Sequence, residues 1–446
     1  MDQRGTMAQI EGARSLMTSV LAPALAADLT PEPVARPVAP VPANTSVETL
    51  RIPHITIHAF CETPSLINAM EVALTDRRMS RASGKVLPGG IPSAIDLYHR
   101  ETSPNLIMVE NRAPIAELYS QLEALADVCV AGTKLIVIGN ANDVGVYREL
   151  LFRGISDYAV GPLDPLAIIA LISRAYKDSE TSRFGRVLAF VGASGGAGSS
   201  TIAQNVATTI ARSYGCSVIF ADLDLPFGTA GLGFDLNPNE TISQALNDGS
   251  RLDDILLERL LTKHEEHLQV LTAPATLDQS HELAEDAFER VLDVAQANAS
   301  FVVVDVPRVW TPWVRKTLLT ADEVIITALP NLAGFRNVKN LIEMLKKARL
   351  NDEPPKLILN QIGVPKRAEL KPEHFADSLK LRPIACIPFD IAVASAGNHG
   401  LMISDAAPKS PVVKSVINIA EITTGRKAAN RASRFDDLLN RFWKRH

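Results

Sequence analysis

The sequence predicts an α/β protein made of two parallel-sheet α/β sandwiches, one after the other along the chain. Short apolar runs alternate with helix-like segments over residues 47–178, and the same alternation resumes near residue 186 and continues to about residue 424. Strands that alternate with helices favour parallel sheets covered by helices. A glycine-rich turn between an apolar strand and a helix, at 187–207, opens the second unit and indicates a ligand-binding edge.

Composition limits the classes of protein to consider. The 446 residues are 46% apolar and 21% charged, which is typical of folded globular chains of two or three domains. The net charge of −5 provides no overall attraction to nucleic acid or anionic lipid. No apolar run reaches the ~18 to 20 residues that a membrane span needs. The cysteines, which are Cys61, Cys129, Cys216 and Cys386, lack C-x-x-C spacing, so we expect a reducing cytoplasm and neither a disulfide framework nor a metal cluster.

The N-terminal segment is predicted to lie outside the folded units. Residues 30–45 read TPEPVARPVAPVPANT, which is rich in Pro, Ala and Val and has no apolar period. Such a composition is typical of an extended, semi-rigid tether. We therefore predict a disordered tail and linker over 1–46, a first domain over 47–178 and a second domain over 179–424.

The first domain has apolar runs at 55–60, 105–111, 134–140 and 156–162, which we interpret as strands. Their order and spacing resemble the receiver domain of bacterial response regulators, a flavodoxin-like fold. The resemblance implies an acidic pair after the first strand, a phosphate-accepting Asp after the third, and a Lys before a Pro after the fifth.

This chain departs from the receiver pattern at each of those positions. Cys61 and Glu62 follow the first strand, Glu110 ends the third, and Gly161 precedes Pro162. The extra methylene of Glu displaces its carboxylate, so we do not expect phosphotransfer. Glu110 is then either a solvated acid at a strand end or a constitutive mimic of the charged state. Under both interpretations the domain is a docking or dimerisation module.

The second domain opens with VLAFVGASGGAGSSTIAQNVA at 187–207. A phosphate-binding loop needs glycines whose N–H groups wrap phosphates, a Lys for the outer phosphates and a hydroxyl for Mg²⁺. Here Ser199 takes the Lys position and Ala193 replaces the first glycine. Ser194 stands where the loop of the ParA/MinD superfamily, which this segment resembles, has a second Lys. The predicted nucleotide-binding residues of the loop are Gly195, Gly196, Ala197, Gly198, Ser199, Ser200 and Thr201.

Further strands are predicted at 217–224, 301–307, 323–330, 356–362 and 384–388, and acidic residues end two of them. The resemblance implies that Ser200, Asp222 and Asp305 hold Mg²⁺, a hard cation that prefers oxygen ligands. It also implies that Asp224 orients the attacking water, if the protein is active. A single Asp at a strand end is more often a turn residue or helix cap, but three in this order after a glycine loop favour a site.

Two residues near the C-terminal end of the domain complete the predicted nucleotide site. Asn360 matches the position where the superfamily reads adenine through a side-chain amide, and Pro388 matches the segment that lines the base. The alternative is that Asn360 is an ordinary turn residue after a strand.

The motifs together are similar to those of the CpaE/TadZ family, over about residues 50–424. They are GASGGAGSST, DLDLPFG, DVPRVWTPW, NLAGFRNVKNL and AGNHGLMISDAAPKSPVVK. This resemblance implies a factor that assembles and places Flp-type (tight-adherence) pili at the cell pole, with itself as a homodimer and pilus-assembly or polar landmark proteins as partners. Val309 takes the glycine position of the superfamily's D-x-P-x-G switch, so that switch is not expected.

Loss of both loop lysines should weaken catalysis more than binding. Phosphoryl transfer needs cations around the transferred group, whereas a Ser hydroxyl donates one neutral hydrogen bond. We expect weak to moderate binding of ATP or ADP with Mg²⁺, and hydrolysis that is very slow or absent. Arg308, Arg336 and Lys339 either replace the missing cations or are ordinary solvated surface residues.

The C-terminal segment 425–446 predicts a basic amphipathic helix. Phe435, Leu438, Leu439 and Phe442 recur at helical spacing among arginines and lysines. Such a helix binds an anionic membrane surface or a partner groove. The alternative is that its apolar stripe packs on the chain's own domain.

Three functions follow from the sequence. The favoured one is a nucleotide-binding scaffold for Flp/Tad pilus assembly and polar localisation, in the cytoplasm and peripheral to the inner membrane. The second is an active, dimerising ATPase of the MinD type. The third is a ParA-like DNA partition protein, which would need a basic surface for phosphate contacts and is least favoured by the acidic net charge.

Overall fold

The computed structural model describes the chain over residues 52–176, 184–238, 240–247, 252–277 and 283–426. The described residues belong to one compact unit that contains two sheets. The predicted tail and linker, and the predicted C-terminal helix apart from Gly425 and Arg426, lie outside the described residues.

The N-terminal sheet has five described strands in the order β2-β1-β3-β4-β5, and all its strand pairs are parallel. This is the doubly wound order of flavodoxin-like folds, so the predicted fold class is confirmed here. The strands are β1 (Ile55–Cys61), β2 (Ala82–Pro88), β3 (Leu106–Glu110), β4 (Lys134–Gly139) and β5 (Asp157–Val160).

Strand β2 has no counterpart in the sequence prediction. It is the edge strand and pairs along its whole length with β1, from Ala82 opposite Ile55 to Pro88 opposite Cys61. None of its residues is fully buried. An edge strand with half-exposed faces needs no continuous apolar run, and the sequence ASGKVLP shows none.

Helices cover both faces of this sheet and enclose two apolar clusters. Helix α1 begins after Thr63, whose hydroxyl caps it, and helices α4 and α5 are capped by Asp143 and Asp164. The helices are α1 (Pro64–Leu74), α2 (Ile91–Tyr98), α3 (Ile115–Val128), α4 (Val144–Phe152) and α5 (Pro165–Ala175).

The C-terminal sheet has eight described strands in the order β13-β12-β11-β6-β10-β7-β9-β8. Among them β8 and β9 pair antiparallel at one edge, and the other neighbours pair parallel. The strands are β6 (Arg186–Gly192), β7 (Val218–Asp222), β8 (Thr262–Glu265), β9 (Leu268–Leu271), β10 (Phe301–Val306), β11 (Glu323–Ala328), β12 (Lys356–Ile362) and β13 (Ala385–Pro388). The sequence prediction missed β8 and β9, which are four residues each and too short to show a period.

Helices also pack on both faces of the C-terminal sheet. Helix α6 follows the glycine-rich turn and is buried along most of its length between β6, β10 and α16. The helices are α6 (Ser199–Tyr214), α7 (Ala230–Gly233), α8 (Ile242–Asn247), α9 (Asp254–Leu260), α10 (Glu289–Asn298), α11 (Pro312–Thr320), α12 (Leu332–Ala348), α13 (Pro372–Leu379), α14 (Ile391–Asn398), α15 (Ile403–Ala406) and α16 (Pro411–Thr424).

A buried cluster of ion pairs joins the two sheets, and we call it the joint. Asp352 after α12 accepts from Arg77 Nε and Arg78 Nη2, both at 2.6 Å, and from Arg349 Nε at 2.7 Å. Each of these side chains is at most 8% exposed. Arg77 also donates to Asp322 at 2.9 Å.

The joint lies at the amino ends of the strands of the C-terminal sheet. Asp322 immediately precedes β11, and its Oδ2 accepts the backbone N–H of Val187 at the start of β6. Parallel strands present their carboxyl ends at the opposite edge, where the glycine-rich turn follows β6. The N-terminal sheet is therefore fixed to the edge away from that turn.

Candidate functional site

The glycine-rich turn connects β6 to α6 at the carboxyl edge of the C-terminal sheet. Gly196 and Gly198 have φ of +70° and +84°, a conformation that favours glycine. A Cβ at Gly198 would also lie 2.5 Å from Nδ2 of Asn360, so the Asn360 side chain would have to move away from the turn. Helix α6 starts at Ser199 and directs its free N–H groups toward the turn, which is the geometry of an anion site.

Two buried hydroxyls of the turn have no hydrogen-bond partner among the described residues. They are Oγ of Ser194 and Oγ of Ser199, at the two positions where the ParA/MinD-type loop has lysines. Ser199 is 8% exposed. A buried hydroxyl without a partner costs free energy, and a ligand with acceptor oxygens would satisfy it.

A cavity of about 460 Å³ opens beside the turn. Five of the predicted nucleotide-binding residues line it, and they are Gly196, Gly198, Thr201, Asn360 and Pro388. Asn205 of α6 also lines it; its Oδ1 accepts the N–H of Ile403 and its Nδ2 donates to the carbonyl of Thr201. The volume suits a nucleoside-sized ligand.

The amide of Asn360 is already engaged within the protein. Its Nδ2 donates to the carbonyl of Ala197 at 2.8 Å, and its Oδ1 accepts the N–H of Gln361 at 2.9 Å. Asn360 therefore supports the turn as well as lining the cavity. One amide hydrogen of its side chain is not used by these two bonds.

Carboxylates converge where β7 and β10 end. Asp305 lies opposite Asp222 in the parallel register, and both are buried, at 4% and 0% exposed. Burial raises the pKa of Asp305, and the carboxylates of Asp222 and Asp224 raise it further despite a hydrogen bond with Ser200. Burial also raises the pKa of Asp222. Such a site favours a cation that neutralises it.

Mg²⁺ fits the residues that the sequence predicts as its ligands. Ser200 contacts Asp305, and Asp222 is adjacent on the next strand, so three oxygen-bearing side chains meet beside the turn. Within the described ranges, no group of three or more His, Cys, Asp or Glu forms a metal cage. In proteins Mg²⁺ commonly uses one or two carboxylates and retains water or phosphate ligands.

The remaining predicted site residues are placed differently. Asp224 is half-buried and its Oδ1 accepts the N–H of Phe227 at 3.2 Å, which holds it in its own loop. Arg336 donates to Oδ1 of Asn337, and Lys339 lies 3.8 Å from Glu343 one turn along α12.

Arg308 is exposed and lines a second cavity, of about 260 Å³, on the other side of the turn. That cavity also includes Ala193 and the exposed Trp310. Among the three cations that the sequence suggests as replacements for lysine, Arg308 therefore shares a cavity with the turn.

The corresponding site of the N-terminal sheet is occupied by its own acid. Glu110 is 9% exposed, and its Oε2 accepts the N–H groups of Glu62 and Thr63 at 2.7 and 2.8 Å. Its Oε1 accepts the Thr63 hydroxyl at 2.8 Å. The interpretation of Glu110 as a solvated acid is wrong, because the long side chain reaches the N-terminus of α1 and takes its free donors.

Comparisons with known proteins agree with this picture. A family model described as an AAA domain matches residues 185–357. The septum site-determining protein MinD of Escherichia coli (strain K12) is 26% identical over 226 residues, which are 48% of this chain and 82% of that protein.

Two solved structures match the N-terminal part. The pilus assembly protein CpaE from Caulobacter crescentus CB15 is 46% identical over 28% of this chain and 94% of that chain, with a TM-score of 0.27. A putative CpaE2 pilus assembly protein from Sinorhizobium meliloti 1021 is 47% identical over 27% of this chain and 98% of that chain, with a TM-score of 0.27.

The glycine-rich turn, the acids at the strand ends and the sequence match together define a ParA/MinD-like protein. The 46% identity with the Caulobacter CpaE chain, over 94% of that chain, then identifies the particular family. The chain belongs to the CpaE family, as a CpaE-like protein of the ParA/MinD superfamily. The predicted resemblance is thereby confirmed.

Two further observations concern membrane-spanning helices and the cysteines. In the part of the chain that the structure describes, no helix combines the length and apolarity of a membrane span. All four cysteines are free thiols in the structure.

Proposed function

We propose that this protein is a nucleotide-binding scaffold for Flp/Tad-type pilus assembly and polar localisation, with very slow or absent ATP hydrolysis. The observation that carries the proposal is the pairing of a retained phosphate cradle with unpartnered Ser194 and Ser199 hydroxyls where lysines would stand. The cradle, the adjoining cavity and the acids favour binding of ATP or ADP with Mg²⁺. The absent cations disfavour hydrolysis.

The residues have separate roles in binding. N–H groups of Gly195 to Ser199 and the start of α6 hold phosphate oxygens, while the cavity at Asn360 and Pro388 holds the base. Ser200, Asp222 and Asp305 hold the magnesium ion with its waters. When bound, Mg²⁺ supplies the positive charge that offsets the phosphates and the acids.

Asp224 is the water-orienting residue if any hydrolysis occurs. Its carboxylate would first have to leave the N–H of Phe227. No lysine at position 194 or 199 would offset the negative charge on the phosphoryl group in the transition state. A hydrogen bond from a lysine is charge-assisted and about twice as strong as one from a neutral serine hydroxyl. We therefore propose that the protein binds nucleotide and hydrolyses it very slowly or not at all.

The scaffold role is drawn from the CpaE family, and with it we propose that the protein self-associates as a homodimer. Pilus assembly proteins carry the names of two relatives, and we extend that role to this chain with polar landmark or pilus components as partners. We further propose attachment to the inner membrane surface, from the cytoplasm, through 425–446.

The test combines calorimetry of ATP and ADP with Mg²⁺ and a phosphate-release assay on the same purified chain. We expect saturable binding with release close to background. Steady release that Asp224→Ala abolishes would replace the scaffold by the active MinD-type ATPase. Absence of binding would refute the nucleotide-binding part of the proposal.

A further inference from the structure

Three side-chain amides donate hydrogen bonds to backbone carbonyls of the glycine-rich turn. We call them the amide bracket, and its members are Asn337, Asn360 and Gln361. The bonds run from Asn337 to the carbonyl of Ala193 (2.7 Å), from Asn360 to that of Ala197 (2.8 Å) and from Gln361 to that of Gly196 (3.0 Å). The donors come from two separate elements, α12 and the end of β12.

The bracket acts on the orientation of peptide planes. An anion-binding turn holds its ligand with N–H groups, so its carbonyls must point away from the ligand. A donor placed behind a carbonyl holds that peptide plane in the required orientation before any ligand arrives. Preorganisation of this kind improves affinity because less ordering remains to be done on binding.

Asn337 is the clearest member of the bracket because it does not line the nucleoside-sized cavity. Its Oδ1 accepts the guanidinium of Arg336 at 3.3 Å, which assigns Nδ2 to the face toward Ala193. Asn337 instead lines the second cavity, beside Ala193, so its side chain does not contact a base held in the nucleoside-sized cavity.

Gln361 is held in place at a cost to its backbone. Its φ is +56°, an unfavourable conformation for a residue other than glycine. Its carbonyl accepts the guanidinium of Arg367, whose Nη2 lies 2.8 Å from Glu369. A strained residue fixed by its surroundings, with its side chain on the turn, is typical of a functional constraint.

We propose that Asn337 and Gln361 are positioning residues for phosphate binding, which preorganise the turn in the absence of its lysines. The inference rests on the proposed function for its ligand, the phosphate groups of a nucleotide. It goes beyond that function by assigning a role to two residues whose side-chain amides donate to carbonyls of the turn.

The test has a readout that needs no nucleotide. Hydrogen exchange of peptides covering 193–199 is measured in the full chain without ligand, for wild type, Asn337→Ala and Asn337→Asp. We expect exchange about fivefold faster in Asn337→Ala, the effect of losing one hydrogen bond. Asn337→Asp should be faster still, since an acceptor then faces a carbonyl. The matched control is Asn340→Ala, an exposed residue on the same helix.

The second readout is the affinity for ADP with Mg²⁺, by calorimetry on the same samples. We expect a loss of about fivefold in Asn337→Ala, a larger loss in Asn337→Asp, and no change in Asn340→Ala. Gln361→Glu is the second variant, and its exchange rate and affinity should change as much as those of Asn337→Asp. It tests the proposal even if the Asn337 variants misfold.

The outcomes separate the two proposals. Unchanged exchange in Asn337→Ala, or wild-type behaviour of Asn337→Asp, would overturn the bracket whatever the affinity. If the wild-type protein bound no nucleotide, the proposed function would be refuted. The positioning role would then be refuted as well, because it requires a bound phosphate. Faster exchange with unaltered affinity would also overturn the positioning role.

Discussion

The two sheets each carry a site at the carboxyl ends of their strands, and each site has lost charged groups that the proteins it resembles use. In the N-terminal sheet, Glu110 replaces the phosphate-accepting Asp and takes three donors from Glu62 and Thr63. In the C-terminal sheet, Ser194 and Ser199 replace lysines and their hydroxyls are left without described partners. The acid of the first site thus has its partners within the protein, beside a cavity of about 200 Å³, whereas the hydroxyls of the second site have none among the described residues.

The difference is one of hydrogen-bond satisfaction. A buried polar group with its partners in place is stable and has no need of a ligand. A buried hydroxyl without a partner raises the free energy of the empty state, so a ligand that accepts from it is favoured. The comparison supports our proposal that the C-terminal site binds a ligand, whereas the acid of the N-terminal site is held by its own chain.

The largest effect on stability is expected at the joint between the two sheets. Asp352→Ala leaves Arg77, Arg78 and Arg349 buried without their shared acceptor, and we expect the free energy of unfolding to fall by about 3 to 5 kcal/mol. Denaturant unfolding measures it. The control is Arg153→Ala, which removes exposed pairs with Glu123 and Glu149 and should have little effect on stability. Equal effects of the two variants would contradict a joint that fixes the regions together.

The joint should also be sensitive to acid. Burial would raise the pKa of Asp352, but the attraction of Arg77 and Arg349 outweighs it and lowers the pKa below its ordinary value. A carboxyl group with a lowered pKa stabilises the fold above its unfolded-state pKa and loses that contribution as the pH falls through the folded-state value. Wild type should therefore lose more stability than Asp352→Ala on acidification below about pH 4.

A smaller effect compares the two sites directly. Glu110→Ala leaves two backbone N–H groups at the start of α1 without their acceptor, which should cost about 1 to 3 kcal/mol. Ser199→Ala removes a hydroxyl that has no described partner, so stability should be unchanged or rise slightly. Thermal unfolding without nucleotide checks both. Equal destabilisation by the two substitutions would contradict the distinction between a site whose polar groups have partners and one whose hydroxyls have none among the described residues.

The smallest effect concerns the acids beside the turn. Because burial and the neighbouring carboxylates raise the pKa of Asp305, the folded state holds its proton more tightly than the unfolded state does. Stability from this group is present at low pH and is lost as the pH rises, the reverse of Asp352. Without Mg²⁺, Asp305→Asn should stabilise the protein by about 1 kcal/mol at pH 8 and less at pH 5. Thermal unfolding at both pH values measures this, and destabilisation at pH 8 would contradict it.

The strands of both sheets were predictable wherever they are central. Runs such as FVVVDV in β10 are buried along their whole length, and their apolar character follows from that burial. The edge strand β2 was not predictable, because a strand with a single neighbour and exposed faces is not obliged to be apolar. The strands β8 and β9 were not predictable for another reason, since four residues are too few to show a period.

The candidate site was predictable where its residues form a recognisable motif within a short stretch of sequence. The glycines of the turn follow from the requirements of phosphate binding, and the magnesium role of Asp222 and Asp305 is what the resemblance to the ParA/MinD superfamily implies. Asn337 was not predictable, since an Asn on a helix more than a hundred residues from the turn carries no local signal. Gln361 had a weak signal, its position next to Asn360. The burial of Glu110 needed the three-dimensional arrangement of α1.

The central claim is that the nucleotide site keeps its cradle and lacks only the charge for hydrolysis. The most direct measurement is phosphate release by the double variant Ser194→Lys and Ser199→Lys, beside wild type, with ATP and Mg²⁺. We predict a rate at least about tenfold above wild type, because restored cations stabilise the transferred phosphoryl group. A rate no greater than wild type, from a variant that still binds ATP, would contradict the claim.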